Sequence, residues 1–107
     1  MATQTKLDIS FEALADETRR SIVSRLTRAS LPMGRLASQY KISRPAISQH
    51  VDVLEKAGFV VRRRKGRQVY VTLIPQALVP ARKWLADLEQ FWLQSFKRLN
   101  THLIHKS

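Results

Sequence analysis

From Trp84 to Leu103 large apolar side chains recur at helical spacing, as Trp84, Leu85, Leu88, Phe91, Trp92, Phe96, Leu99 and Leu103, and both tryptophans of the chain are among them. A helix that starts at about Pro80 keeps that proline out of a helix interior, where its ring would clash with the preceding turn. Run to about Ile104, it has roughly 25 residues and a length of about 38 Å. A rod of this length outreaches a core built by about 70 residues. Part of the stripe therefore needs another partner, and a second copy of the chain is the economical one.

The chain of 107 residues fits one domain, with about 10–73 as a core unit and about 80–104 as the long helix. Its 44% hydrophobic content, three Gly and four Pro place it among globular chains, and no repeat or low-complexity tract interrupts it. Residues 1–7 read as a frayed terminus. Ser10 caps a short first helix carrying Phe11, Leu14 and Ala15, and Asp16 caps a second that runs to about Ala29 with Ile22, Val23 and Leu26 inward.

Ser30-Leu31-Pro32 punctuates the chain, and Met33, Leu36, Ala37 and Tyr40 then define a short third helix. After a tight turn at Lys41-Ile42, Ser43 caps a fourth helix from Arg44 to about Ala57, with Pro45 in its first turn and Gly58 as its stop. On that helix Ile47, Val51 and Leu54 share one face, while Pro45, Ser48, Gln49, Asp52 and Lys56 lie opposite. Residues 59–64 and 67–73 are rich in β-formers, and Lys65-Gly66 between them reads as a hairpin turn. Pro75 marks a short turn before the last helix.

Nineteen Lys and Arg against eight Asp and Glu give a net charge of +11, a balance that points to a polyanionic partner, nucleic acid first. The charge is concentrated: residues 41–67 carry eight basic side chains against Asp52 and Glu55. Without cysteine, disulfides, thiolate metal ligands and thiol redox sensing are excluded. The absence of an apolar run long enough to span a bilayer, and of a signal-peptide pattern, makes a cytoplasmic chain without membrane partners the simplest expectation. No phosphate-binding glycine loop, paired carboxylates or nucleophile beside a base is present, so the chain reads as a binder and not an enzyme.

Five segments together carry a family resemblance. They are Phe11 to Arg20 (FEALADETRR), Leu36-Ala37, Ser43 to His50 (SRPAISQH), Val53 to Val60 (VLEKAGFV) and Lys65 to Tyr70 (KGRQVY). In this order and with these gaps, from about residue 10 to residue 73, the chain resembles the ArsR/SmtB family of winged-helix repressors. The resemblance implies a mainly α fold with a small β-hairpin, in the order α-α-α-α-β-β-α. It implies a helix-turn-helix at 32–39 and 43–57, a wing at 59–73, and homodimer contacts from the first and last helices, which adds Phe11 to the aromatic stripe.

Two departures concern metal sensing. The Cys-x-Cys pair that some members carry in the third helix has no counterpart in Met33-Gly34-Arg35-Leu36-Ala37. For ligands along the last helix, Asp87, Glu89, His102 and His105 are the only candidates, and their spacing does not reproduce the Asp-x-His pair of other members. His102 and His105 share a helix face and would suit Zn²⁺ with a carboxylate from a second subunit; a polar helix end explains them equally well. No cofactor is expected, and regulation by an effector or partner protein stays open.

With double-stranded DNA as partner, side chains near the N-terminus of the fourth helix reach base edges in the major groove. Ser43, Arg44, Pro45, Ser48 and Gln49 are the candidates, with Pro45 more a shaper of the first turn than a contact. His50 lies toward the packed face, as either a structural histidine or a phosphate contact. In the wing, Arg62 and Arg64 share a face opposite Arg63, and Lys65 and Arg67 flank Gly66. Arginine suits a narrow minor groove and lysine the phosphates, whereas charge that merely protects a strand edge rarely puts five cations in six positions. Arg19 and Arg20 either reach phosphates or pair with carboxylates such as Asp16. A sequence-specific repressor is the leading reading; a non-specific architectural nucleic-acid binder is the alternative.

Overall fold

The computed structural model describes residues 5–105, with side chains described as far as residue 100. Five helices and a small sheet follow one another as α1 (Lys6–Leu14), α2 (Glu17–Leu26), β1 (Leu31–Pro32), α3 (Met33–Ala37), α4 (Arg44–Lys56), β2 (Val60–Lys65), β3 (Gln68–Leu73) and α5 (Val79–His105). A 3-10 turn over Pro75–Leu78 leads into α5.

α1 is capped at Thr5, five residues before the expected cap Ser10. Thr5 Oγ1 accepts from the Asp8 amide at 3.1 Å, and Asp8 Oδ2 accepts from the Thr5 amide at 3.5 Å, a reciprocal capping box. Ser10 is therefore a buried mid-helix residue, its hydroxyl donating to the Lys6 carbonyl at 2.9 Å. Thr5 to Leu7 are ordered into cap and first turn rather than frayed; residues 1–4 of that expected terminus lie outside the described residues. Asp16 caps α2 as expected, accepting from the Arg19 amide at 3.0 Å, but α2 stops at Leu26, with Thr27 as its C-cap. α3 likewise ends at Ala37, short of Tyr40.

Two details of the sheet differ from the sequence reading. Leu31-Pro32 is a third strand, with Leu31 opposite Val71 and Pro32 opposite Tyr70, so the sheet order is β1-β3-β2. Ser30 Oγ and Thr72 Oγ1, 2.8 Å apart, extend this tie of the wing to the start of α3. The hairpin loop is Gly66-Arg67, one residue later than Lys65-Gly66, because Lys65 pairs with Gln68. Gly66 has φ of +63° and Arg67 does not have a positive φ, which suits a two-residue loop with glycine first.

The core gathers Ile22, Leu36, Ile47, Val51, Leu54, Phe59, Val60 and Val71, each with 1% exposure or less, where α2, α3, α4 and the sheet meet. α4 ends inside this core through a double closure: the Gly58 amide donates to the Glu55 carbonyl at 3.0 Å, and the Phe59 amide to the Leu54 carbonyl at 2.9 Å. This is a Schellman motif, with Gly58 at φ of +82° in the left-handed position and Leu54 and Phe59 both fully buried beside it. A side chain at position 58 would meet no atom within 4 Å, so its cost is purely conformational. Gly58→Ala is expected to destabilise the fold by about 1–2 kcal/mol, read as a lowered denaturant midpoint with the secondary structure intact.

Candidate nucleic-acid interface

α4 lies across the core with its N-terminal half open. Ser43 caps it, accepting from the Ala46 amide at 3.2 Å, and Pro45 occupies the first turn, where a missing N–H costs nothing. Ile47, Val51 and Leu54 are fully buried, while Ser43, Arg44, Pro45 and Gln49 are exposed and Ser48 is half-buried on the opposite side. The same 3.6-residue period that holds the helix down thus lifts its polar face into solvent.

His50 is a linking residue. Its Nδ1 lies 3.3 Å from an Arg19 guanidinium nitrogen and 3.8 Å from Asp16 Oδ2. With arginine as the donor, Nδ1 accepts, and the Asp16 contact at 3.8 Å is too long for a hydrogen bond. The geometry ties His50 to α2, with part of its ring left exposed.

Arg19 and Arg20, for which phosphate contact and carboxylate pairing were both open, turn back on α1. Arg19 donates to the carbonyls of Ala13 at 2.6 Å and Glu12 at 3.1 Å, and Arg20 to that of Leu14 at 2.8 Å. These carbonyls belong to the last turn of α1, where the Glu12 carbonyl also accepts from the Ala15 amide at 3.2 Å, and cations there complement the helix dipole.

In the wing, Arg63, Arg64, Lys65 and Arg67 are exposed, whereas Arg62 is tied inward. Its guanidinium meets Asp52 at 2.7 Å, Glu55 at 2.9 Å, and the carbonyl and hydroxyl of Ser48 at 3.1 and 3.2 Å. Its alignment with Arg64 on one strand face is as expected; its side chain, unlike that of Arg64, points along α4.

Between α3, the start of α4 and the wing lies a cleft of about 640 Å³ whose lining includes Arg35, Arg44, Arg67 and Tyr70, with part of Arg62, whose guanidinium is held by Asp52, Glu55 and Ser48. Gly34 forms part of its wall, and the Arg44 guanidinium packs over the space a side chain there would take. Arg35 lines this cleft and was not among the sequence candidates. For Arg35 the signal was present as the one charged residue of α3, exposed beside buried Leu36.

On α5, Trp84, Leu85, Leu88, Phe91, Trp92, Phe96 and Leu99 are all exposed, Phe91, Trp92 and Phe96 to 59, 64 and 67%. Only the start of the helix is held: Ala81 is buried, and the half-buried Phe11 ring of α1 meets Trp84 edge to face at 5.6 Å. Among the described residues no three His, Cys, Asp or Glu side chains gather as metal ligands. The side chains of His102 and His105 lie outside the described residues.

A helix-turn-helix whose second helix exposes polar residues, beside a cationic β-wing, defines a winged-helix DNA-binding protein. A helix-turn-helix domain family matches residues 14–63. The HTH-type transcriptional regulator Rv2034 of Mycobacterium tuberculosis is 41% identical over 95 residues, 89% of this chain and 86% of its own. The transcriptional repressor SdpR of Bacillus subtilis is 33% identical over 77 residues, 72% of this chain and 86% of its own. Among solved structures, the ArsR-like transcriptional regulator from Rhodococcus sp. RHA1 superposes with a TM-score of 0.73 at 29% identity, over 88% of this chain and 89% of that one. The chain belongs to the ArsR/SmtB family of winged helix-turn-helix transcriptional regulators.

The Asp16 cap supplies a pH-dependent prediction. The hydrogen bond from the Arg19 amide holds its carboxyl below the ordinary aspartate range against the opposing effect of burial, with His50 and the Arg19 charge assisting. A depressed carboxylate stabilises the fold at neutral pH, and that stability is lost as the pH falls through the folded-state pKa. Asp16→Ala should cost about 1 kcal/mol near neutrality. The gap from the parent should narrow as the pH drops from roughly 5 to 3, followed by urea titration at each pH.

Proposed function

We propose that this regulator acts as a homodimeric repressor in the cytoplasm, with residues from about 10 to 73 as a reading head and α5, from about 80 to 104, as the dimerisation helix. The observation that carries this reading is the pairing of exposed Arg44 and Gln49, and half-buried Ser48 between them, with four exposed wing cations on one scaffold. α4 enters the major groove, where Gln49 fits adenine and Arg44 fits guanine, each in a bidentate manner. Arg63, Arg64, Lys65 and Arg67 engage the flanking duplex. Arg35 sits with Arg44 and Arg67 around a cleft whose chemistry suits a backbone phosphate.

Dimerisation is supported by the unpartnered aromatic face of α5 and by the shape of a single chain. Its radius of gyration is 19.2 Å, with extents of 70 × 35 × 23 Å. A compact chain of this length would have about 13 Å. Burying the Phe91, Trp92 and Phe96 face against a second copy removes that exposure and sets two reading heads at a fixed separation. A cytoplasmic site agrees with the finding that no described helix is long and apolar enough to cross a membrane.

Selection from a random DNA pool should return an inverted repeat with half-sites about 34–36 Å apart. Gln49→Ala should weaken binding to it by about 1–3 kcal/mol, seen by fluorescence anisotropy. Equal affinity for the selected site and for scrambled duplex at physiological salt would instead identify a non-specific binder. By light scattering the parent should show twice the chain mass of 12.3 kDa. Phe96→Glu should return it to the single-chain value, since a charge in that seam is left unpaired.

A further inference from the structure

Arg62 opens a run of wing cations, yet it alone among them is committed within the protein. Ser48, Asp52 and Glu55 stand at i, i+4 and i+7 on α4, one stripe turned toward β2. The Arg62 guanidinium reaches all three, and its own amide donates to the second Glu55 oxygen at 3.2 Å. Its side chain is 23% exposed, and its strand neighbours on the same face, Val60 and the opposing Val71, are fully buried. The contact therefore joins the root of the wing to the middle of α4 at the edge of the core.

We propose that Arg62 is a positioning residue for DNA recognition: it fixes the angle between wing and α4 and presents Ser48 as a hydrogen-bond donor, without itself binding DNA. The inference rests on the reading that α4 and the wing bind the duplex together. Three physical points carry it. A planar guanidinium can span two carboxylates, a carbonyl and a hydroxyl at once, which an ammonium cannot do with the same rigidity. Asp52 and Glu55 would otherwise set two negative charges beside the phosphates, and Arg62 offsets them locally. Ser48 Oγ accepts from Arg62, so the proton of its own hydroxyl remains to be donated to an acceptor on a base edge or phosphate.

The double variant Asp52→Ala/Glu55→Ala separates positioning from charge. It makes the chain more cationic, so charge alone would strengthen binding to every DNA. Positioning predicts a different result: affinity for random duplex rises while the ratio of selected-site to random affinity falls about tenfold. Arg62→Lys should lower that ratio similarly while leaving the dependence of binding on salt at the parent slope. Arg64→Ala, as the control for a direct phosphate contact, should reduce the slope by about one.

A ratio unchanged in Arg62→Lys or in the acidic double variant would overturn the proposal. So would an Arg62→Ala slope that drops as far as that of Arg64→Ala. If Arg62→Ala fails to fold, the acidic double variant, which keeps the arginine, and Arg62→Lys still decide the matter. A parent protein that does not distinguish its selected site from random duplex would fail on the regulator reading itself, and that outcome is read before any variant is compared.

Discussion

α4 and the wing hang from one residue, Phe59. Its amide closes the last turn of α4 on the Leu54 carbonyl, and its ring is fully buried beside Leu54. Its carbonyl accepts from the Ile74 amide at 2.7 Å, which closes the base of the hairpin where β3 leaves the sheet. Helix end, core packing and strand start thus share a single residue, and the left-handed backbone at Gly58 is the only way for the chain to make that turn without strain. Anything that loosens this corner shifts α4 and the wing relative to each other, and their relative placement is what a duplex would read.

Charge is distributed by a related logic. A chain at +11 repels itself, and each cation near the core needs an acceptor. Arg19 and Arg20 find theirs in the exposed carbonyls at the end of α1, Arg62 in Asp52 and Glu55, and Arg25 in Gln39 and Tyr40, with its guanidinium 5.1 Å over the Tyr40 ring. Exposed cations remain at the wing, in Arg63, Arg64, Lys65 and Arg67, and at the α3-α4 corner, in Arg35 and Arg44, as well as elsewhere on the surface, Arg28, Lys56 and those of α5 among them. Arginines that brace the fold and arginines offered to a polyanion are the same residue type, and local acceptors alone sort them.

α5 departs from the body of the fold because only its first turns find something to pack on, Ala81 in the core edge and Trp84 on Phe11. The helical stripe then continues with none of the described residues opposite, and the molecule extends to 70 Å. Such a face is costly in water and inexpensive against a copy of itself, since twofold pairing buries the same patch twice.

Much of this was written in the linear pattern. The apolar period at Ile47, Val51 and Leu54 determined which face of α4 packs, that from Trp84 to Leu99 marked the apolar stripe of α5, and Asp16, Ser43 and Gly58 determined where helices start and stop, because caps and periodicity are local chemistry. Family membership was also legible, in five ordered segments between residues 11 and 70. Other features needed the third dimension. The strand at Leu31-Pro32 is two residues long and exists only because β3 lies beside it, and the one-residue shift of the hairpin loop follows from Lys65 pairing with Gln68. The division of labour between Arg62 and Arg64 was invisible in sequence, since both sit on one strand face. Only the packing of β2 on α4 brings Ser48, Asp52 and Glu55 within reach of the first and leaves the second in solvent.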